Sequence, residues 1–410
     1  MNQTAPTISP KPLNVLLLEN IHPGAAIVFG ARGLHVETVK GSLKEEELIA
    51  RLKGVDILGI RSKTRVTENV LASAPQLMSV GCFCIGTNQV DLAAANKRGV
   101  PVFNAPFSNT RSVAELVIAE VIALARQLGD RSSEMHAGTW KKVATGSLEV
   151  RGKTLGIVGY GHIGSQVGVL AEAMGMRVVS YDIATRMQMG NNRSMPTLAS
   201  LLEISDFVTL HVPETKDTER MIAAGQLAQM KAGARLINNS RGSVVDVDAL
   251  AAAIQSGHLG GAAVDVFPEE PEGNGPGFKT ALAGLPNVIL TPHIGGSTEE
   301  AQEAIGAEVA TSLSKFIGAG TTESAVNFPR IELPATPGTH RIMNVHRNVP
   351  GVLRDINKII SDLDANVEQQ FLSTDSTIGY LVMDVSKQLS SEVSEAIGKL
   401  PTNIKTRVLF

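Results

Sequence analysis

Cysteine is almost missing from this chain of 410 residues: Cys82 and Cys84, in the stretch GCFCIG, are the only two. They cannot complete a four-cysteine zinc site or a disulfide framework, so they read as a reduced pair of small buried side chains or a local redox pair. No metal is expected. Excess cationic charge is missing as well. With 37 Lys and Arg against 40 Asp and Glu, and a formal net charge of -3, the chain has no broad attraction to nucleic acid or anionic lipid, and neither is expected as a partner. No apolar run comes near the roughly 20 residues of a membrane span. The opening MNQTAPTISPKPLN is polar and proline-bearing, and the VLLLE after it is too short for a secretory signal core. The cytoplasm is therefore the expected compartment. Solenoid-period repeats and low-complexity tracts are missing too.

What is present is globular. Hydrophobic residues make up 43% and charged residues 19%, and the length suggests two to four domains. In the first hundred residues, NVLLLEN, VDILGI, MSVGCFCIG and VPVFNAP read as strands, and Leu43 to Leu52 and Val90 to Lys97 as helices. Such alternation predicts a parallel sheet with helices on both faces. SVAELVIAEVIALARQL follows, a helix apolar on almost every side except at Glu115 and Glu120, suited to a core or to a subunit contact. A second alternating series then runs through LGIVGYG, MRVVSYD, FVTLHVP, ARLINNS, GAAVDVF and NVILTPH. Two doubly wound sheets predict two lobes, with ligands bound in the cleft between them. A helix is expected over Thr298 to Ile317. The proline-rich FPRIELPATPGTH reads as a linker, and the last 70 or so residues follow the β-α-β-β-α-β order of a ferredoxin-like module.

Three glycines, Gly159, Gly161 and Gly164, end the strand LGIVGYG and open the helix after it. In the G-x-G-x-x-G pattern the first allows a tight turn, the second lets backbone N–H groups reach a pyrophosphate, and the third permits close helix–strand packing. Asp182 ends the next strand, close to where the pattern places an acid for the ribose hydroxyls. Its charge opposes a 2′-phosphate, which favours NAD over NADP, although Arg186 stands nearby.

Three further stretches begin where second-lobe strands end: NNSRGSVVD, DVFPEEP and TPHIGGST. They put Arg241, Glu270 and His293 on one rim, the ligand-binding edge of open α/β sheets. Oxidation of a secondary alcohol needs a base for the hydroxyl proton, and histidine serves near neutral pH. A carboxylate on its second ring nitrogen would orient it, and a guanidinium would grip a substrate carboxylate. Taken singly, each residue also suits an ordinary structural role.

The set GYGHIG, NNSRG, DVFPEEP and TPHIGGST, with GCFCIGTNQVDL and NAPFSNTRSVAEL in the first half, resembles the D-isomer-specific 2-hydroxyacid dehydrogenase family, in its branch with a C-terminal ACT domain. That resemblance implies an α/β fold: a discontinuous substrate lobe (1–108 and 296–330), an inserted Rossmann cofactor lobe (109–295), a linker (331–338) and an ACT module (339–410). It implies Arg241, Glu270 and His293 as catalytic residues. For NAD it implies His162, Ile163, Asp182, Asn239, Ser240, Arg241, Asp265, His293, Gly295 and Gly296 in addition to the three turn glycines. The implied reaction is oxidation of 3-phospho-D-glycerate to 3-phosphohydroxypyruvate, with other 2-hydroxy acids as alternatives and a non-catalytic NAD-sensing protein as the remote one. Arg61 and Lys63 in GIRSKT are implied as phosphate contacts, and Asn109 and Lys142 as further substrate contacts, Lys142 reaching across a subunit boundary.

In the terminal module, VHRNVPGVL places His346 and Asn348 in the turn before a helix, and Asn366 opens the next strand. Such residues suit amino-acid binding, and equally turns and caps. The ACT resemblance implies that they bind L-serine as a feedback inhibitor, in a homotetramer built through cofactor lobes and ACT modules, with Gly295-Gly296 and Pro337-Gly338 as hinges.

Overall fold

The computed structural model describes residues 12–271 and 273–409. Most of the polar N-terminal stretch, residues 1–11, lies outside the described residues. The chain divides into two compact units, Met1–Ser108 with Gln302–Phe410, and Asn109–Ala301.

In the first unit, β1 (Asn14–Leu17), β2 (His35–Thr38), β3 (Ile57–Ile60), β4 (Ser79–Cys82) and β5 (Val102–Asn104) form a parallel sheet in the order β2-β1-β3-β4-β5. Alternate residues serve opposite faces. Val15, Leu17 and Ile57 join Phe29, Val309 and Leu313 in one core, while Leu16, Leu58 and Val80 join Leu48, Val70 and Ala95 in another. A strand covered on both faces is apolar at every position, which is why β3 and β4 read as continuous hydrophobic runs. The sequence reading missed β2, because HVET is a mostly exposed edge strand without an apolar pattern.

The second unit carries β6 (Thr154–Val158), β7 (Arg177–Tyr181), β8 (Arg193–Ser194), β9 (Phe207–Leu210), β10 (Arg235–Asn238), β11 (Gly261–Val264) and β12 (Val288–Leu290). They form a parallel sheet in the order β12-β11-β10-β9-β6-β7-β8. The order reverses between β6 and β9, so the loop after β6 sits at the switch point of a doubly wound fold. β8, two residues long, also escaped the sequence reading.

The C-terminal module has strands β13 (Thr339–Arg347), β14 (Val367–Thr374), β15 (Ile378–Ser386) and β16 (Asn403–Leu409) in the antiparallel order β14-β15-β13-β16. One face packs on the module's own helices, Ile342, Leu381 and Met383 against Ile356 and Val393. The other face, with Met343, Val345, Tyr380 and Val382, shares a core with Phe103, Phe316 and Phe328 of the first lobe.

Polar bonds follow the same seam. The helix Glu299–Ala319 ends with carbonyls that have no helical partner. Arg407 donates to the Ile317 carbonyl, Arg341 Nη1 to Ala319 O (2.9 Å) and Tyr380 Oη to Gly320 O (2.7 Å). Arg341 also bonds the carbonyls of Leu333 (2.6 Å) and Pro334 (2.8 Å) and pairs with buried Asp384 at 2.6 Å. The proline-rich segment is thus held by its carbonyls, with Ile331 in the core. Among the described residues no helix is long and apolar enough to cross a membrane.

Asp384 also accepts from Thr336 N and Gln369 Nε2. Asp384→Asn leaves the Arg341 charge buried without its counter-ion, a loss of about 3 kcal/mol or more. The expected readout is faster amide hydrogen exchange across β15, measured by mass spectrometry; unchanged protection there would mean that the pair contributes nothing net.

Candidate active site

Steric demands shape the turn after β6. Gly159 has φ 89°, and a side chain there would strike the carbonyl of His211; one at Gly164 would strike the carbonyl of Gly159. Beside Gly161, by contrast, no atom stands within 4 Å of where a Cβ would be. Two glycines are therefore required by the protein's own packing, and the third leaves backbone open at the N-terminus of the helix His162–Ala173, where a pyrophosphate fits. Asp182, directly after β7, accepts from Tyr160 N and Ala184 N, both at 2.9 Å, and pairs with Arg186 at 3.2 Å. Arg186 is thus engaged by the carboxylate beside which a 2′-phosphate would have to sit.

The loops after β10, β11 and β12 leave the same sheet edge. Asp265 organises one of them: its carboxylate accepts from Thr291 Oγ1 (2.6 Å), Ile294 N (2.8 Å) and Gly295 N (2.8 Å), and its carbonyl accepts from His293 N (2.8 Å). His293 itself has φ 56°, a left-handed conformation that this set of bonds holds in place. Its Nδ1 meets Glu270 Oε2 at 2.8 Å, and Glu270 Oε1 accepts from Phe267 N at 3.1 Å. The bond to Glu270 raises the His293 pKa above the ordinary imidazole value, against the opposing effect of burial. Burial alone would raise Glu270, but the His293 and Phe267 bonds prevail and hold it below the usual carboxylate range.

Arg241 arrives on a loop tied by Asn238, whose Nδ2 donates to Arg241 O (3.0 Å) and whose Oδ1 accepts from Ser240 Oγ (2.8 Å). Gly242 packs so tightly on the backbone of Phe267 and Pro268 that no side chain fits there. This contact brings the Arg241 loop against the Glu270 loop, and the Arg241 charge is felt at both Glu270 and His293. An imidazole, the carboxylate bonded to it and a guanidinium thus converge on one edge.

Asn109 lies against Gly296, where any side chain would displace its amide. His162 and Ile163 occupy the first turn of the helix after the glycines. Arg61 and Lys63 follow β3 in the other unit. Lys142 lies in an exposed loop tied at Gly146 to Arg235, at the end of β10 opposite to the one that leads to Arg241. In the C-terminal module, His346 belongs to strand β13 rather than to the turn, buried with its Nδ1 on Asn344 Oδ1 (2.8 Å). Asn348 sits beside Thr377, while Asn366 sits beside Ser386 at the far end of the sheet. Nine strand residues at roughly 3.3 Å each separate the two ends.

Two buried acids, one in each unit, were not foreseen. Glu120, in the helix Thr110–Arg126, accepts from Asn239 Nδ2 at 2.8 Å and so braces the Arg241 loop; burial pushes its pKa up to about 8. Its only sequence signal was an acid interrupting an apolar helix. Glu19, just beyond β1, accepts backbone N–H bonds from Arg61, Lys63 and Thr64.

Because Glu270 stabilises the charged imidazole, Glu270→Gln should lower the His293 pKa. NMR titration of the ring should show its midpoint moving to lower pH than in the unsubstituted protein. A midpoint that stays put would mean that the bond does not govern the ring.

Comparison with known proteins gives the family. Residues 118–295 match the D-isomer specific 2-hydroxyacid dehydrogenase, NAD binding domain family, and residues 342–405 match the AHAS small subunit-like ACT domain family. The chain is 56% identical over 398 residues to a D-3-phosphoglycerate dehydrogenase of Dictyostelium discoideum, covering 97% of each chain. It is 48% identical over 401 residues to the D-3-phosphoglycerate dehydrogenase of Escherichia coli K12, covering 97% of this chain and 98% of that one. Among solved structures, D-lactate dehydrogenase from Aquifex aeolicus complexed with NAD and lactic acid aligns with a TM-score of 0.66 at 29% identity, over 77% of this chain and 100% of that one. The cofactor is NAD. The chain belongs to the D-isomer-specific 2-hydroxyacid dehydrogenase family, among its D-3-phosphoglycerate dehydrogenases, as an enzyme with an ACT-like module at its C-terminal end.

Proposed function

We propose that the chain oxidises 3-phospho-D-glycerate at C2 to 3-phosphohydroxypyruvate, the first step of L-serine synthesis, as a cytoplasmic homotetramer inhibited by L-serine. The observation that carries the chemistry is the 2.8 Å bond between His293 Nδ1 and Glu270, with Arg241 beside them on the edge that bears the glycine turn. With Nδ1 engaged, His293 presents Nε2 to the C2 hydroxyl and takes its proton. Glu270 stabilises the imidazolium that results, and the proton later passes to water. Arg241 holds the substrate carboxylate and fixes C2; its Nη1 donates to Ser240 O at 2.6 Å, and its other donors are the ones assigned to the ligand. Bound NAD supplies the acceptor for the hydride that leaves C2. Residues Asp182, Asn239 to Arg241, Asp265 and His293 to Gly296 form its seat around the turn at Gly159, Gly161 and Gly164. Asn109, Arg61 and Lys63 complete the substrate contacts, the last two taking the phosphate, and Lys142 is supplied to the site of a second copy.

His293→Ala should abolish turnover while NADH binding, followed by fluorescence, stays nearly intact. Arg241→Ala should cost on the order of 10²-fold or more in kcat/KM. In assays of NADH oxidation, 3-phosphohydroxypyruvate should far outpace pyruvate, glyoxylate and 2-oxoglutarate; equal rates would overturn the substrate assignment.

For the effector, His346 and Asn348 stand at one end of the module's sheet and Asn366 at the other. A serine site containing all three therefore has to be assembled from two copies facing opposite ways. Millimolar L-serine should lower activity and raise the melting temperature, and Asn366→Ala should remove both responses. No response of the unsubstituted enzyme would end the effector assignment.

A further inference from the structure

The chain leaves β1 through two residues in left-handed conformation, Glu19 (φ 61°) and Asn20 (φ 54°). Non-glycine residues adopt this region at a cost. The turn directs the Glu19 carboxylate into the buried space at the end of β3, where the residue is only 8% exposed. Its Oε1 accepts from the backbone N–H groups of Arg61 (3.2 Å) and Thr64 (2.8 Å), and its Oε2 from that of Lys63 (3.0 Å). From the other side Gln89, also buried, donates through Nε2 to the carbonyl of Arg61 at 2.6 Å. The backbone N–H and C=O of Arg61 are therefore both held by buried side chains from distant parts of the sequence. Among the described residues, neither the Arg61 guanidinium nor the Lys63 ammonium has a carboxylate partner.

We propose that Glu19, supported by Gln89, is a positioning residue for phosphate recognition. By fixing the backbone from Arg61 to Thr64 it aims the two unpaired cations, and so sets the preference for a phosphorylated over an unphosphorylated three-carbon acid. This rests on the assignment of the substrate phosphate to Arg61 and Lys63.

Two effects of opposite sign make the idea testable. A buried carboxylate next to a phosphate site repels the ligand, so if direct charge dominated, removing it would tighten binding. If positioning dominates, removing it weakens binding, because the freed loop no longer presents its cations in a fixed arrangement. Glu19→Gln separates the two. The amide oxygen can keep the bonds from Arg61 and Thr64, but the NH₂ group then faces the N–H of Lys63, donor against donor.

The experiment compares Glu19→Gln, Gln89→Ala and Arg61→Ala as full-length proteins, measuring kcat/KM for reduction of 3-phosphohydroxypyruvate and of hydroxypyruvate with NADH. The expected result is a fall of about tenfold or more in the ratio of the two for all three variants, carried by KM of the phosphorylated substrate. A general folding defect lowers both substrates together and leaves the ratio alone, so that outcome in both Glu19→Gln and Gln89→Ala overturns the proposal. So does a tighter KM in Glu19→Gln. If Arg61→Ala lowers the ratio and the other two do not, positioning by Glu19 is wrong and the phosphate assignment stands. If Arg61→Ala leaves the ratio intact, the assignment itself fails. Should Glu19→Gln not fold, Gln89→Ala decides alone, since it releases the carbonyl of the same residue.

Discussion

The carboxylate of Asp265 is the constraint on which the edge bearing Arg241, Glu270 and His293 depends. A strand of a parallel sheet ends with backbone N–H groups that have no ladder partner, and such groups must be satisfied before a loop can hold one shape. Asp265 gathers those of Ile294 and Gly295, while its own carbonyl takes that of His293. The imidazole is thereby offered to Glu270 from a backbone conformation that few side chains adopt unaided.

The same device recurs. Asp182 collects the amides of Tyr160 and Ala184 at the end of β7, and Glu19 collects three in the first unit. In each case an acid at the carboxyl end of a strand turns a flexible connection into a fixed presentation of neighbouring side chains. The C-terminal module uses the opposite polarity. There Arg341 and Arg407 collect carbonyls, those at the end of the long helix and those of the proline-rich segment. Desolvation lowers the Arg407 pKa to about 10 and that of Lys405, bonded to the Leu77 carbonyl, to about 8. Cations hold that seam because what it leaves unsatisfied is acceptors.

Features that restrict residue choice by sterics were legible in the sequence. Gly159 and Gly164 leave no room for a side chain, so their spacing reports the turn directly. The inner strands, covered on both faces, declare themselves as apolar runs, whereas exposed β2 and two-residue β8 carry no such mark. Single polar residues were harder. Glu19 and Glu120 resemble any other acids until the fold brings their partners close, 42 to 45 residues away for Glu19 and 119 for Glu120. The prolines of 329–337 mark a linker without a regular element, and no local pattern reveals that Arg341 grips the carbonyls between them.

The register of the C-terminal sheet has a thermodynamic corollary. If one ligand must touch His346 of one chain and Asn366 of another, its binding free energy is shared with chain association, and the two equilibria become linked. The effector would then act as a molecular glue. Response to it would fade on dilution, and a crowded, enzyme-rich cell would sense the same concentration more sharply than a dilute assay does.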